Sequence, residues 1–265
     1  MKCCICGTVK NCEKYLQKCF ENMEKIGGLF EDYSIVLYYD HSTDNTLNIL
    51  KRYQQRNKRL FFYVNQDKLT PYRTVNIAKG RNYCLGIMRK YMKDYEYFIM
   101  MDCDDVCAYN INTNLLHAYL ERKDWDALSF QHPMGYYDLW ALSKRPLVLS
   151  CHHFKNPLLW NTLITNEIDQ LKKTGNHQQL IPCYSAFNGF AIYRKDKFIN
   201  CYYDGRFRLD YVPKNLIAEN IKYAGSMKTH NFSREDCEHR HFHFQAVSKN
   251  GARIRISPLS IFVRA

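Results

Sequence analysis

The sequence has no long apolar run. Its longest, Ser34–Tyr39 and Tyr97–Met101, fall far short of the roughly 20 residues needed to cross a bilayer. No integral membrane segment is therefore expected. The opening stretch, Met1-Lys2-Cys3-Cys4-Ile5-Cys6-Gly7, is too short an apolar run for a secretion signal, so a cytoplasmic location is expected. Glycine and proline number only 11 and 7, and their scarcity excludes collagen-like and low-complexity linker segments. No internal repeat is present. Lys and Arg never occur more than two in a row, so there is no basic tail. One glycosylation sequon, Asn231-Phe232-Ser233, carries no weight without a secretion signal.

What is present is ordinary in bulk. Apolar residues make up 46% and charged residues 24%, which excludes a disordered chain. A length of 265 residues allows one large domain or two small ones, and either buries a core without disulfide or metal staples. The twelve cysteines are scattered, which reads as reduced, buried thiol. Cys3-x-x-Cys6 has the spacing of half a zinc or redox site, but no second pair lies at a finger-like distance. The net charge of +12, from 38 basic and 26 acidic residues, suits nucleic acid, an anionic lipid surface or a phosphate-bearing small molecule. A nucleic-acid binder usually concentrates its basic residues; here they are spread along the chain, and charge alone does not choose among the three.

Apolar spacing alternates along the first 130 residues. Lys2–Thr8 reads as a strand. Cys12, Tyr15, Leu16, Cys19, Phe20, Met23 and Ile26 form a helical face, with Asn11 as N-cap and Gly27-Gly28 as the stop. Ser34–Tyr39 is a buried strand, Thr46–Gln55 a helix that Ser42 or Asp44 can cap, and Leu60–Val64 a strand. Cys84, Ile87, Met88 and Tyr91 mark a helix, Tyr97–Met101 a strand, Leu115–Leu120 a helix and Trp125–Phe130 a strand. This alternation predicts an α/β fold with a mainly parallel sheet flanked by helices. Residues 131–185 show weak periodicity and read as a long binding or lid segment. Phe187–Tyr193 reads as a strand, Ser233–Gln245 as a polar helix or loop, and Arg253–Ser257 as a final edge strand.

Ligands in such sheets sit at the carboxyl ends of the strands. That places Thr8–Lys10, Asp40–Asp44 and Asp102–Asp105 along one rim. Asp102-Cys103-Asp104-Asp105 directly follows an apolar strand. Hard cations such as Mg²⁺ or Mn²⁺ take oxygen ligands of this kind, a few from protein and the rest from phosphate.

Taken in order, these motifs carry a resemblance. A strand followed by Asp40-x-Ser42-x-Asp44-x-Thr46, then a second strand followed by Asp102-x-Asp104, resembles the GT-A glycosyltransferases, particularly the large inverting family. Lys79-Gly80-Arg81-Asn82 looks like the Arg-Asn stretch that precedes their second acidic motif. Tyr137-Asp138-Leu139-Trp140-Ala141 and the strand Cys183–Tyr193 are similar to segments of capsule-type mannosyltransferases and their viral and bacterial relatives. The likeness spans roughly residues 2–258. One departure is Asp40-His41, where many relatives carry two acids.

The resemblance implies a single GT-A domain, with a nucleotide-sugar half over 1–110 and an acceptor and catalytic half over 111–265. It implies a UDP- or GDP-sugar donor, a glycan or glycoprotein acceptor, and Mn²⁺ or Mg²⁺ as cofactor. Asp104 and Asp102 would hold the metal. Thr8, Asp40, Arg81, Asp102 and Asn188 would contact the donor, with Arg81 on the diphosphate. Tyr136, Tyr137 and Trp140 are candidates to stack on a sugar ring.

The densest cluster is Glu235-Asp236-Cys237-Glu238-His239-Arg240-His241-Phe242-His243. In a helix, Glu235, Glu238 and His239 share a face, and so do Asp236 and Arg240. The resemblance makes Asp236 or Glu238 the general base and His243 a completing metal ligand. A tight Cys/His zinc site and a solvated, ion-paired helix are the alternatives. Two rival functions remain at this level. A nucleotidyltransferase would show a Gly-rich phosphate loop, whereas Gly7-Thr8-Val9-Lys10-Asn11 has one glycine. An RNA-binding protein would interleave basic and aromatic residues on one face. The abundance of Lys, Asn, Tyr, Ile and Cys points to an AT-rich genome such as that of a large DNA virus, which would make the location host cytoplasm.

Overall fold

The computed structural model describes residues 1–228 and 235–264. The sequon at Asn231 and the start of the expected 233–245 element lie outside the described residues. Along the chain run β1 (Lys2–Val9), α1 (Glu13–Gly27), β2 (Asp32–Tyr39), α2 (Thr46–Arg56), β3 (Leu60–Val64), α3 (Arg73–Tyr91), β4 (Tyr97–Met101), β5 (Asn110–Ile111) and α4 (Thr113–Leu120). Then come β6 (Ala127–Phe130), α5 (Leu158–Lys173), β7 (Ile181–Cys183), β8 (Phe190–Arg194), α6 (Lys214–Ala224), α7 (Glu238–Asn250), β9 (Ile254–Ser257) and β10 (Phe262–Val263). Eight strands form one sheet in the order β3-β2-β1-β4-β8-β6-β9-β7, and β5 and β10 make a separate pair. β8 runs antiparallel to β4 and β6, and β7 to β9. The other pairs in the large sheet are parallel. The result is the mixed, mainly parallel α/β sheet expected.

The central strands are apolar throughout because both faces are covered. Alternate residues of β1 serve different cores. Cys3, Ile5 and Val9 pack with Leu16, Phe20 and Met23 of α1. Cys4 and Cys6 pack with Cys84, Leu85 and Met88 of α3 and Phe242 of α7. A third core gathers Trp160, Ile164 and Ile168 of α5 with Leu142–Leu149 and Leu216 of α6. All but one of the twelve cysteines are buried, and all are free thiols. No described helix is long and apolar enough to cross a membrane.

Several local expectations are corrected. Asn11 does not cap α1. It sits at φ 52°, and its Oδ1 accepts instead from the Thr43 amide at 2.8 Å. The α1 amides find acceptors across the rim: Asp44 Oδ2 takes Glu13 N at 3.0 Å, and Thr46 Oγ1 takes Cys12 N at 2.8 Å. Asp44 Oδ1 also accepts from Thr46 N at 3.1 Å, so one carboxylate secures two helix starts. Residues 131–185 contain α5, whose Trp160, Ile164 and Ile168 face inward. The segment is thus a packed layer with loops. β9 lies between β6 and β7 rather than at an edge. The strand expected from Phe187 begins at Phe190, because Asn188 and Gly189 form a turn with φ 58° and 83°. α7 is not a solvated polar helix: Glu238 through Ala246 are all buried.

Candidate functional site

The carboxyl ends of β1, β2 and β4 open into a cavity of about 620 Å³. Topology puts it there, because parallel strands end on the same side and their following loops diverge. Thr8 comes from β1, Asp40 from the end of β2, and Asp102 and Asp104 from the end of β4. Tyr137, Asp138 and Trp140 close one wall, and Glu238 and His239 of α7 form the floor with Arg81 of α3.

Arg81 organises the floor. It is 4% exposed. Its Nη2 donates to Asp102 Oδ1 at 2.9 Å and its Nη1 to Glu238 Oε1 at 2.5 Å. Nη1 also meets His239 Nε2. The guanidinium carbon lies 4.6 Å from the centre of the Phe187 ring, which itself stacks on His239 at 3.8 Å. A buried guanidinium shared by two carboxylates is a fixed strut. The two terminal nitrogens of Arg81 are held by Glu238 and Asp102, while its Nε has no protein partner, on a side chain that lines the cavity.

The acids outnumber that one buried cation. Asp102, Asp104, Asp138 and Glu238 all face the cavity. Burial pushes the Asp102 carboxyl up to about 7, Arg81 opposes this, and the neighbouring acids Asp104, Asp138 and Glu238 add to it. Burial also raises Asp104 and Asp138. Among the described residues, no protein donor reaches Oδ2 of Asp102 or of Asp104. Asp104 Oδ1 accepts from Val106 N at 3.2 Å, which fixes its direction. Two oriented carboxylates with oxygens to spare, in a pocket too acidic for its own cation, fit a hard divalent ion.

The other expected residues divide. Thr8 and Asp40 line the cavity, and Asp40 Oδ1 accepts from Asn65 Nδ2 and His41 N, both at 3.0 Å. Tyr137 and Trp140 line it and are exposed, whereas Tyr136 is buried in the third core. Asn188 does not line the cavity. Its Oδ1 accepts from Tyr137 N and Asp138 N at 3.0 and 3.2 Å, and its Nδ2 donates to Phe130 O at 2.9 Å. It shapes the wall from behind rather than meeting a ligand. His243 also stands apart. It is fully buried, with Nδ1 on Ser185 Oγ at 2.9 Å and Nε2 on Tyr193 Oη at 3.1 Å. Both ring nitrogens are occupied, so the geometry does not bring it to the acids as a metal ligand.

The two rival bases also separate. Glu238 lines the cavity and Asp236 does not. Asp236 is 2% exposed, with Oδ2 3.1 Å from Arg240 Nε and Oδ1 accepting from Cys237 N at 2.7 Å. Burial works against its ionised form, but Arg240 and His153 outweigh it and hold the carboxyl below its ordinary range. Glu235 precedes α7 and takes the Thr74 amide and hydroxyl at 2.9 and 2.8 Å. One cavity group has no role in the sequence reading, Asp138, whereas His239 enters it on the Glu238 face and in the alternative Cys/His zinc site. Asp138 lies in the Tyr137–Ala141 segment, but only the fold shows that it joins the acids. Arg73 and Lys10, both exposed, stand at the rim, while Lys79 pairs with Asp67.

A sheet whose parallel half ends in an acid-lined pocket, with a later helix delivering a further carboxylate to it, has the architecture of the GT-A fold. The chain belongs to glycosyl transferase family 2, whose model matches residues 4–201. Its fold is similar to that of the Staphylococcus aureus protein TarS, fragment 1–349, with a TM-score of 0.52, 17% identity, and coverage of 100% of this chain and 60% of that one. The same fragment solved with UDP-GlcNAc gives a TM-score of 0.50 at 19% identity, covering 100% of this chain and 58% of that one. A Pyrobaculum calidifontis mannosyltransferase, PcManGT, solved with GDP-Man and Mn²⁺, is more distant, with a TM-score of 0.47, 11% identity, and coverage of 98% and 55%. The chain thus spans about 60% of the length of the TarS fragment. No curated protein matches it by sequence.

Proposed function

We propose that this glycosyltransferase moves a sugar from a nucleoside-diphosphate sugar to an acceptor hydroxyl, on a glycan or glycoprotein, with a divalent cation held at Asp102 and Asp104. One observation carries the reading: both acids converge with Asp138 and Glu238 on one cavity at the strand ends. Mn²⁺ or Mg²⁺ suits the all-oxygen donor set. When bound, such an ion neutralises charge on the departing diphosphate.

The remaining roles belong to the chain's own residues. Thr8 and Asp40 flank the nucleoside at the ends of β1 and β2. Lys10 and Arg73 at the rim and Arg81 at the floor are the cations that line the cavity and can meet phosphate oxygens. Arg81 holds Asp102 and Glu238 in fixed positions through its two terminal nitrogens. Tyr137 and Trp140 offer apolar faces to a sugar. Residues 1–110 supply the donor side and residues 111–265 the acceptor side.

In the transfer, the acceptor oxygen forms a bond to the anomeric carbon as the bond from that carbon to the diphosphate oxygen breaks. The electron pair leaves with the diphosphate, which needs no proton. The hydroxyl proton passes to a carboxylate, and Glu238 is the candidate that faces the cavity. The nucleotidyltransferase alternative gives way to the family membership. A panel of UDP- and GDP-sugars, each with Mn²⁺ and with chelator, tests the reading by donor hydrolysis and thermal shift. Metal-dependent response to at least one donor is expected. No response to any donor refutes it.

A further inference from the structure

Outside the acid pocket, a second donor set lies behind Trp140. His152 and His153 sit on a short helical turn at Cys151–His153. Asp236 stands two residues before α7. The two imidazole centres are 3.9 Å apart, and His153 Nε2 is 3.8 Å from Asp236 Oδ1. One ligand atom from each of the three residues lies within 4.8 Å of the other two. His153 is 4% exposed, and its Nε2 has no hydrogen-bond partner. An unpaired buried polar nitrogen costs on the order of 1–3 kcal/mol, so its persistence beside a carboxylate points to a ligand between them.

The surroundings support the three groups from behind. Asp236 Oδ2 is held by Arg240 Nε at 3.1 Å, which turns Oδ1 toward the histidines. His152 Nδ1 meets Ser150 Oγ at 3.0 Å, and its ring stacks on Trp140 at 4.4 Å. The His153 ring packs edge-on to Phe207 at 4.6 Å. Such outer contacts orient metal ligands in known sites.

We propose that His152, His153 and Asp236 bind a borderline transition-metal ion of the Zn²⁺ class, at a site separate from the divalent site at Asp102 and Asp104. Two imidazoles and one carboxylate form an open three-ligand zinc set, with water as the fourth ligand. Bonds of about 2.1 Å at tetrahedral angles put ligand atoms about 3.4 Å apart, so small side-chain rotations close the set. The two sites differ in chemistry: the oxygen-only pair takes Mg²⁺ or Mn²⁺, and the nitrogen-rich triad takes Zn²⁺ or Co²⁺. The ion ties the 151–153 turn to the start of α7. It thereby fixes Trp140 and the approach to Glu238, both of which line the cavity. The inference does not rest on the donor reading.

The test uses the full chain, stripped with chelator and titrated with Co²⁺. The expected result is stoichiometric binding with the visible bands of a tetrahedral site. Zn²⁺ displaces the Co²⁺ and excess Mg²⁺ does not. The bands persist in Asp104→Asn and are lost in His153→Gln, with Co²⁺ affinity falling more than about tenfold. His152→Gln, at a half-buried position, provides the same readout if His153→Gln does not fold. The proposal is overturned if the wild type shows no such bands, if both histidine variants bind Co²⁺ as the wild type does, or if Asp104→Asn alone abolishes binding.

Discussion

Replacing Arg81 by Met keeps the unbranched apolar stem of the side chain and removes the charge between Asp102 and Glu238. Both carboxylates then lose their buried partner, at 2.9 and 2.5 Å respectively. Breaking a buried pair by removing one member costs about 3–5 kcal/mol. At roughly 2–4 °C per kcal/mol for a chain of this size, the melting temperature falls by about 6–20 °C. The loss depends on pH, and its sign follows from Asp102. That carboxyl sits at about 7 with Arg81 in place, above its value in the unfolded chain, and higher still without Arg81. Below about pH 7 the acid is protonated in both proteins, so its share of the deficit is absent. As pH rises past 7, the wild type ionises against Arg81 and the variant has no counter-charge. The gap between the two therefore widens. Urea denaturation at about pH 6 and about pH 8.5 measures it. A divalent cation supplied at about 100 times its Kd returns up to about 2.7 kcal/mol to either protein. An equal gap at both pH values refutes the electrostatic strut and assigns the effect to lost packing on Phe187.

Other variants separate the remaining roles. Glu238→Gln should lower turnover by about 10²–10⁴-fold while donor binding, measured by calorimetry, stays near wild type. Asp236→Asn should instead cost about 3 kcal/mol in a denaturation curve, because it leaves Arg240 buried without its ion partner. Gly189→Ala places a Cβ 2.5 Å from Val106 Cγ1 at a φ of 83°. It should cost about 1–3 kcal/mol and weaken donor binding, since the Gly189 carbonyl accepts the Asp102 amide at 2.9 Å. The thermal shift produced by Mn²⁺ should shrink as pH falls below about 7, where protons compete for Asp102.

The first half of the chain was legible because its rules are local. Strands buried on both faces read as apolar runs, and acids placed directly after Tyr39 and Met101 can only fall at strand ends. The floor of the site was not, because its contacts are distant in sequence. Arg81 meets Asp102 and Glu238 across 21 and 157 residues, so spacing alone could not show these partners. The face shared by Glu235 and Glu238 in a notional helix does not exist, because α7 starts at Glu238. His243 lies on that helix but points to Ser185 and Tyr193 in the core. α5 escaped notice although Trp160, Leu163, Ile164, Ile168 and Leu171 pack together at helical spacing, because irregular loops frame it on both sides. The +12 charge first suggested nucleic acid, yet the large cavity is acidic, with Lys10 and Arg73 at its rim.

The central claim is that Asp102 and Asp104 hold a divalent cation that recruits a nucleoside diphosphate. Calorimetric titration of UDP and GDP into the protein, with Mn²⁺ and with chelator, tests it directly. At least one nucleotide should bind the wild type more than about tenfold tighter with Mn²⁺, a gain above about 1.4 kcal/mol, and Asp104→Asn should lose that gain. Equal affinity with and without metal, or an undiminished gain in Asp104→Asn, would contradict it.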